Sequence, residues 1–387
     1  MPTQIRPITP DDHEQLKVLL TEAFGTSDGD WAGLAAQGQS WWGAFVDGHL
    51  AATINHREYT SWFRGVEVPT AGITGVSIAA EYRGRQLLRP LMEELTSHAR
   101  SRDERIATLF ATATGIYRGF GFSRILQVGS VELPVASLAR VRGTLDLRRA
   151  GDDDAEVLHG LYEQWARRHD GPLTRRGPAH ERPDHRFKDL TGTTIVEDAG
   201  EPRGYLRWKR GTAGDWADSV IEVPELVALD AEAMRTALTS LASYDSVASR
   251  VRLFSPGDVD TVRWLLPSNA WTPLADTEPY MLRVLDPSAF DLLPAPPGVT
   301  ATLPFLVGDD GWVLHVDEGT MRIESDPAAA TGMGRRLEPG ALAVSFAGAL
   351  ASSAQREVGL LSGDDRDDTL WDILFTSGRR LATRDSF

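Results

Sequence analysis

One segment limits the folds open to this chain more than any other: Val76-Ser77-Ile78-Ala79-Ala80-Glu81-Tyr82-Arg83-Gly84-Arg85-Gln86-Leu87-Leu88. Val76 and Ile78 point to one face of a strand, which ends in a short basic turn. An apolar face at helical spacing then begins with Leu87, Leu88, Leu91, Met92, Leu95 and Ala99. Pro90 is compatible with that helix only because it falls in the first turn. A helix N-terminus carries unpaired N–H groups and a partial positive charge. With Arg83 and Arg85 beside it, the junction has the makings of a pyrophosphate site. On spacing alone, a surface turn with two solvated arginines fits as well, so the phosphate reading needs support from elsewhere in the chain.

The surrounding pattern alternates helix and strand, which is α/β. Thr9-Pro10-Asp11-Asp12 reads as a helix start, with Thr9 as cap, Pro10 in the first helical position and two acids at the positive end of the dipole. Leu16, Leu19, Leu20, Ala23 and Phe24 form one apolar face, and Gly25 ends it. Asp47-Gly48 and Arg64-Gly65 read as hairpin turns. A strand at 108–111 leads into Gly115-Ile116-Tyr117-Arg118-Gly119-Phe120-Gly121-Phe122. From about Val141 the order of elements repeats with little residue identity: an acidic helix start, a hairpin through 194–197 and 205–209, a strand at 225–229 and a helix capped by Asp230. We read this as a degenerate internal repeat. Pro and Gly between Asp286 and Gly298 mark a linker. The resulting units are 1–140, 141–286 and 287–387, in line with ~100–200 residues per domain.

The loop resembles the acyl-CoA loop of the GNAT acetyltransferases, R/Q-x-x-G-x-G/A after a strand. Arg83 holds the first position, Gln86 stands where the pattern has Gly, and Leu88 where it has a small residue. Residues 115–122 resemble the GNAT segment in which a Tyr follows the splayed fifth strand. With its length, second GNAT-like unit and chain end, the whole chain is similar to the Eis (enhanced intracellular survival) acetyltransferases of actinobacteria. The resemblance implies an α/β (α+β) protein of tandem GNAT acyltransferase folds, the first catalytic and the second degenerate, plus a C-terminal α+β domain like sterol carrier proteins. It implies acetyl-CoA as acyl donor, held by Val76, Ser77, Ile78, Arg83, Gly84, Arg85, Gln86, Leu87 and Leu88. It implies Tyr117 as general acid and the α-carboxylate of Phe387 as base. Asp28 and Trp31, with Asp385 from the tail, would line an acidic pocket for the amine. A hexamer built from trimers is implied as well.

The chemistry suits these residues. Acyl transfer from a thioester to an amine needs a neutral amine, a polarised carbonyl and a proton for the leaving thiolate. A strand that opens from its neighbour leaves backbone N–H groups for the carbonyl. Tyr117, with an ordinary pKa of ~10, is protonated at neutral pH. A carboxylate of pKa ~3.5 is a weak base and would act through a water or by holding the ammonium. The chain has no cysteine, which excludes a thiolate nucleophile and leaves direct attack by the amine. Lys+Arg 40 against Asp+Glu 55 gives a net charge of −15, which argues against a nucleic-acid partner and suits a cationic small molecule. The resemblance suggests aminoglycosides, acetylated at several amines; polyamines and protein lysines fit the charge nearly as well. A different class is a non-catalytic scaffold for acyl-CoA or an apolar ligand, in which Gln86 has closed the cofactor site. In the middle unit, Asp230 and Glu232 stand where a pyrophosphate would bind, so one active site per chain is expected.

Other motifs fail on context. Gly25-Thr26-Ser27-Asp28-Gly29 matches a nucleophile elbow but follows a helix. His13-Glu14 has Lys17 where a zinc protease has its second His, and the nine histidines lack paired metal spacing, so no metal is expected. The start of the chain has no signal-peptide stretch, and the apolar run Ala341–Ala351 is shorter than the ~18 residues of a spanning helix, so a soluble cytoplasmic protein is the default.

Overall fold

The computed structural model of the chain describes residues 3–25, 37–180, 187, 189–211, 218–258, 260–266, 269–328, 334–376 and 378–387. The first unit runs β1 (Thr3–Pro7), α1 (His13–Phe24), β2 (Gln39–Val46), β3 (His49–Phe63), β4 (Val66–Ile78), α2 (Leu88–Ser101), β5 (Ile106–Phe110), α3 (Thr114–Arg118) and β6 (Ser123–Pro134). Both expected hairpins form. Asp47 and Gly48 (φ 51° and 81°) and Arg64 and Gly65 (φ 51° and 78°) take the left-handed pairs that a two-residue turn requires. At the first helix start Thr9 sits where a cap is expected, but its hydroxyl donates to Asp12 at 2.8 Å. Asp12 organises the turn: Arg6 forks onto it with two 2.7 Å bonds, which hold its carboxyl well below the usual range.

The second unit contains β7 (Asp146–Arg149), α4 (Ala155–Ala166), β8 (His169–Asp170), β9 (Gly192–Asp198), β10 (Glu201–Arg210), β11 (Val220–Ala228), α5 (Ala231–Ala242), β12 (Arg250–Ser255), β13 (Thr272–Pro273) and β14 (Glu278–Val284). Its opening repeats the first unit's device. Arg148 forks onto Asp154 at 2.8 Å, six residues on, as Arg6 does onto Asp12. The internal repeat therefore survives in a local ion pair where residue identity has faded.

The two units are not separate beads. One thirteen-stranded sheet runs β1-β2-β3-β4-β5-β14-β6-β12-β11-β10-β9-β7, with β13 on β6. β14 comes from the end of the second unit in sequence, yet it lies between β5 and β6 of the first. The far end of β6 pairs with β12 of the second unit. Each unit thus completes its sheet with a strand shared with the other, which the linear boundary at 140/141 does not convey.

The remaining elements are β15 (Ala301–Val307), β16 (Asp310–Asp317), β17 (Thr320–Ser325), β18 (Arg335–Leu337), α6 (Pro339–Ala347), α7 (Ser352–Glu357), β19 (Leu361–Ser362), α8 (Asp368–Phe375) and β20 (Arg380–Leu381). A five-stranded sheet, β17-β16-β15-β18-β19, packs with these helices. The apolar run near residue 341 becomes α6, buried from Gly340 to Ala347. Among the described residues, no helix is long and apolar enough to cross a membrane.

Both faces of the first unit's sheet are covered, and strand alternation decides which residue goes where. Ala107 and Met281 face a core built on Leu91, Met92 and Leu95 of α2. Their neighbours Ile106, Tyr280 and Leu282 face Phe290, Phe346 and Phe375 of the C-terminal unit. Arg64 ties the three units together: its N–H donates to Asp170 (2.5 Å) and its guanidinium to the carbonyls of Pro294 (3.1 Å) and Leu374.

Candidate active site

The site begins where two strands part. β4 and β5 pair in parallel only over Thr70↔Ile106, Ala71↔Ala107 and Gly72↔Thr108. Beyond Gly72, β4 runs on to Ile78 beside β3 alone, while β5 stays paired on its other edge with β14 from Ile106 to Phe110, with Phe110 opposite Tyr280. Among the described residues, the β5-facing edge of residues 73–78 therefore has no strand partner, and buried or half-buried backbone groups require a hydrogen-bond partner. Gly75 (φ 60°) bends β4 here, and a Cβ at that position would lie 2.6 Å from the Trp41 ring. Val76 and Ile78 are half-buried against the α2 core, and Ser77 is buried.

Beyond Ile78 the chain turns into α2. Gly84 (φ 79°) and Gln86 (φ 58°) are both left-handed. Gln86 thus adopts a left-handed backbone geometry that favours glycine, and its side chain is exposed. The first turn of α2 has neither a side-chain cap nor an acid. Arg83 and Arg85 are exposed and form no ion pair among the described residues. Uncapped amides, two exposed arginines outside any ion pair (Arg85 lies over the Tyr82 ring at 4.9 Å) and a permissive backbone together suit a diphosphate. Leu87 and Leu88 are buried and anchor the turn. Left-handed strain of ~1–2 kcal/mol at a side-chain-bearing residue exceeds the ~0.5–1 kcal/mol entropic disadvantage of glycine. Gln86→Gly is therefore expected to raise stability by up to about 1 kcal/mol, read as a higher urea midpoint at constant slope.

Tyr117 lies on α3, in the same core as Leu87 and Leu88, with the Phe122 ring edge-on at 6.1 Å. Burial raises its pKa above the ordinary 10, so its hydroxyl keeps its proton.

The chain end returns to this region. β20 pairs in parallel with β8, and Thr383, Arg384 and Asp385 are buried. The Phe387 ring then meets Tyr59 (4.9 Å between centroids), Phe110 (5.3 Å) and Tyr280 (6.4 Å). A Cβ on Gly72 would sit 3.3 Å from the ring. Gly72 is the last β4 residue paired with β5, so the ring rests at the apex of the splay. Termini usually fray; here the burial of residues 382–385 and three aromatic contacts of the Phe387 ring hold the end in place.

Asp385, read from sequence as a lining residue for the amine, is 6 % exposed. Its carboxylate accepts from Arg175 Nε (2.7 Å), the Tyr162 hydroxyl (2.9 Å) and the Leu173 N–H (2.9 Å). Asp28 and Trp31 lie outside the described residues. A cavity of about 470 Å³ opens beside the tail, lined by Gln37, Arg175, Gly177, Pro178 and His180. His180 packs on Tyr59 at 4.6 Å, and burial pushes its pKa down to about 4, so it is neutral at pH 7. Sequence reasoning missed Tyr59, Arg175 and His180, which carry no motif.

The second unit has the same architecture without the anion site. β11 leaves β12 after Val223↔Leu253. At the following helix, Asp230 accepts from the N–H groups of Glu232 (3.0 Å) and Ala233 (2.8 Å), and Arg203 pairs with Asp230 at 2.8 Å. The amides that would hold a pyrophosphate are satisfied by a carboxylate.

Comparison with known proteins agrees with this geometry. Residues 4–125 and residues 165–284 each match an acetyltransferase (GNAT) domain family. An uncharacterised N-acetyltransferase of Streptomyces avermitilis is 31% identical over 185 residues. That match covers 43% of this chain and 44% of the relative, less than half of its length. Among solved structures, a GCN5-related N-acetyltransferase from Anabaena variabilis superposes over 100% of both chains with a TM-score of 0.87 at 22% identity. Eis1 from Mycobacterium abscessus does so over 100% of both chains with a TM-score of 0.81 at 21% identity.

Proposed function

We propose, starting from the membership of this chain in the GNAT acetyltransferases through two of its domains, that the first unit transfers acetyl from acetyl-CoA to an amine of a cationic small molecule of the aminoglycoside type. The observation that carries this reading is the Phe387 ring at the apex of the β4–β5 splay, which brings the chain end to where an acyl group would lie. Arg83, Gly84, Arg85, Gln86, Leu87 and Leu88 hold the diphosphate, and the open edge of β4 at Val76, Ser77 and Ile78 pairs with the pantetheine amides. The free amine attacks the thioester carbonyl, a C–N bond forms and the C–S bond breaks. Tyr117 protonates the leaving thiolate, and the Phe387 α-carboxylate holds the ammonium and takes its proton through water. The cavity beside Tyr59 and His180 receives the acceptor. His180 is neutral there, and the charge of Arg175 is offset by Asp385 and Glu225, so a cation meets little repulsion. The overall charge of −15 favours the same class. The resemblance to Eis proteins further supports reading the C-terminal unit as sterol-carrier-like and the assembly as a hexamer.

Calorimetry with acetyl-CoA tests the donor half of this reading. One molecule is expected to bind per chain, because Asp230 closes the second unit. Arg83→Ala and Arg85→Ala are each expected to weaken binding about tenfold, less at high salt. Absence of binding, or two equal sites per chain, would contradict the assignment.

A further inference from the structure

Arg175 is a half-buried cation at the edge of the acceptor cavity, and the transfer chemistry assigns it no step. Its Nε donates to Asp385 (2.7 Å), its Nη2 donates to Glu225 (2.7 Å) and to the Arg384 carbonyl (3.1 Å), and its guanidinium lies 3.7 Å over the Tyr162 ring. The Tyr162 hydroxyl lies 2.9 Å from the Asp385 carboxylate and 2.7 Å from the Leu173 carbonyl, and its single proton is shared between these two acceptors. Glu225 is fully buried and also accepts from Tyr205 at 2.8 Å. Arg175 is held at φ 53°, a left-handed conformation that a residue with a side chain keeps only when its surroundings over-determine it. Glu225 lies on the stretch of β11 beyond its divergence from β12, the counterpart of the β4 edge that faces acetyl-CoA in the first unit.

We infer that Arg175, with Glu225 and Tyr162 behind it, is a positioning residue that fixes Asp385 and thereby sets where the Phe387 carboxylate stands, so that the second unit has exchanged cofactor binding for mounting the catalytic tail. The reach of the chain supplies the physical link. Two residues span at most about 7 Å, so pinning the Asp385 carboxylate confines Phe387 to a small volume next to the splay. Among the described residues, backbone bonds hold the tail only as far as Thr383, whose N–H donates to the Pro256 carbonyl at 2.7 Å, so without the pin the last residues keep little beyond the ring contacts to orient the carboxylate. This inference rests on the reading of Phe387 as the base.

The test is steady-state acetyl transfer by the full chain, with acetyl-CoA and whichever amine of a polycation panel releases thiol fastest. Arg175→Ala is expected to lower kcat about a hundredfold, the effect of an ångström-scale misplacement, with acetyl-CoA affinity unchanged. That variant removes the Arg175 guanidinium from two buried carboxylates, Asp385 and Glu225, of which Glu225 keeps Arg207 at 3.5 Å. Asp385→Asn, which keeps the shape of the anchor, is measured beside it and is expected to lower kcat about tenfold. Tyr162→Phe is expected to fall between wild type and Asp385→Asn. In a chain lacking Phe387, none of these substitutions should lower the residual rate further, whereas a purely structural role would. If folded Asp385→Asn keeps wild-type kcat while deletion of Phe387 abolishes turnover, the positioning role is overturned and the base assignment stands. If deletion of Phe387 leaves turnover intact, the base assignment falls and this inference falls with it.

Discussion

A short peptide added after Phe387 is expected to lower kcat by about a hundredfold or more, the contribution of a positioned proton acceptor, while acetyl-CoA binds as before. Extension converts the α-carboxylate into a peptide carbonyl, which has no charge to hold an ammonium and no basicity to take its proton. The diphosphate loop and Tyr117 belong to the α2 core on the other face of the sheet from the C-terminal unit, so donor binding should not change. Asp385 and Arg175 keep their partners, so the melting temperature should hold within a few degrees. Undiminished turnover of the extended chain would remove Phe387 from the mechanism.

Tyr117→Phe is the second large effect. The substitution keeps the ring packed beside Phe122 and removes only the hydroxyl. A general acid contributes about 10²–10⁴-fold, so kcat should fall within that range at unchanged acetyl-CoA affinity. The pH dependence follows from the raised pKa. The protonated form is the active one, so wild-type turnover should persist through neutral pH and decline only as pH rises above 10 through the raised value. The variant should lack that decline. A variant within twofold of wild type would show that the thiolate leaves without this proton.

The parts of the molecule legible from sequence are those set by neighbours along the chain. The left-handed turns at Asp47-Gly48 and Arg64-Gly65, the uncapped start of α2 and the Asp230 cap each depend on a few adjacent residues, and each is where the pattern put it. The exchange of β14 into the first unit's sheet was not legible, because the partners of Tyr280 and Met281 lie at Phe110 and Leu109, far away in sequence. For the same reason Arg175 and His180 carried no signal. Asp385 reads from sequence as a tail residue lining the amine pocket, yet the fold buries it against Arg175. Phe387 is visible in the sequence only through resemblance, because its contacts with Gly72 and Phe110 are far away along the chain.

The most direct measurement is thiol release from acetyl-CoA by the purified chain across a panel of amines (aminoglycosides, polyamines and lysine peptides), with Tyr117→Phe as control. The expected result is amine-dependent release, fastest with an aminoglycoside and reduced at least a hundredfold in the control. Equal inertness of both proteins towards every amine, while both bind acetyl-CoA, would contradict catalysis at this site and leave a binding scaffold in its place.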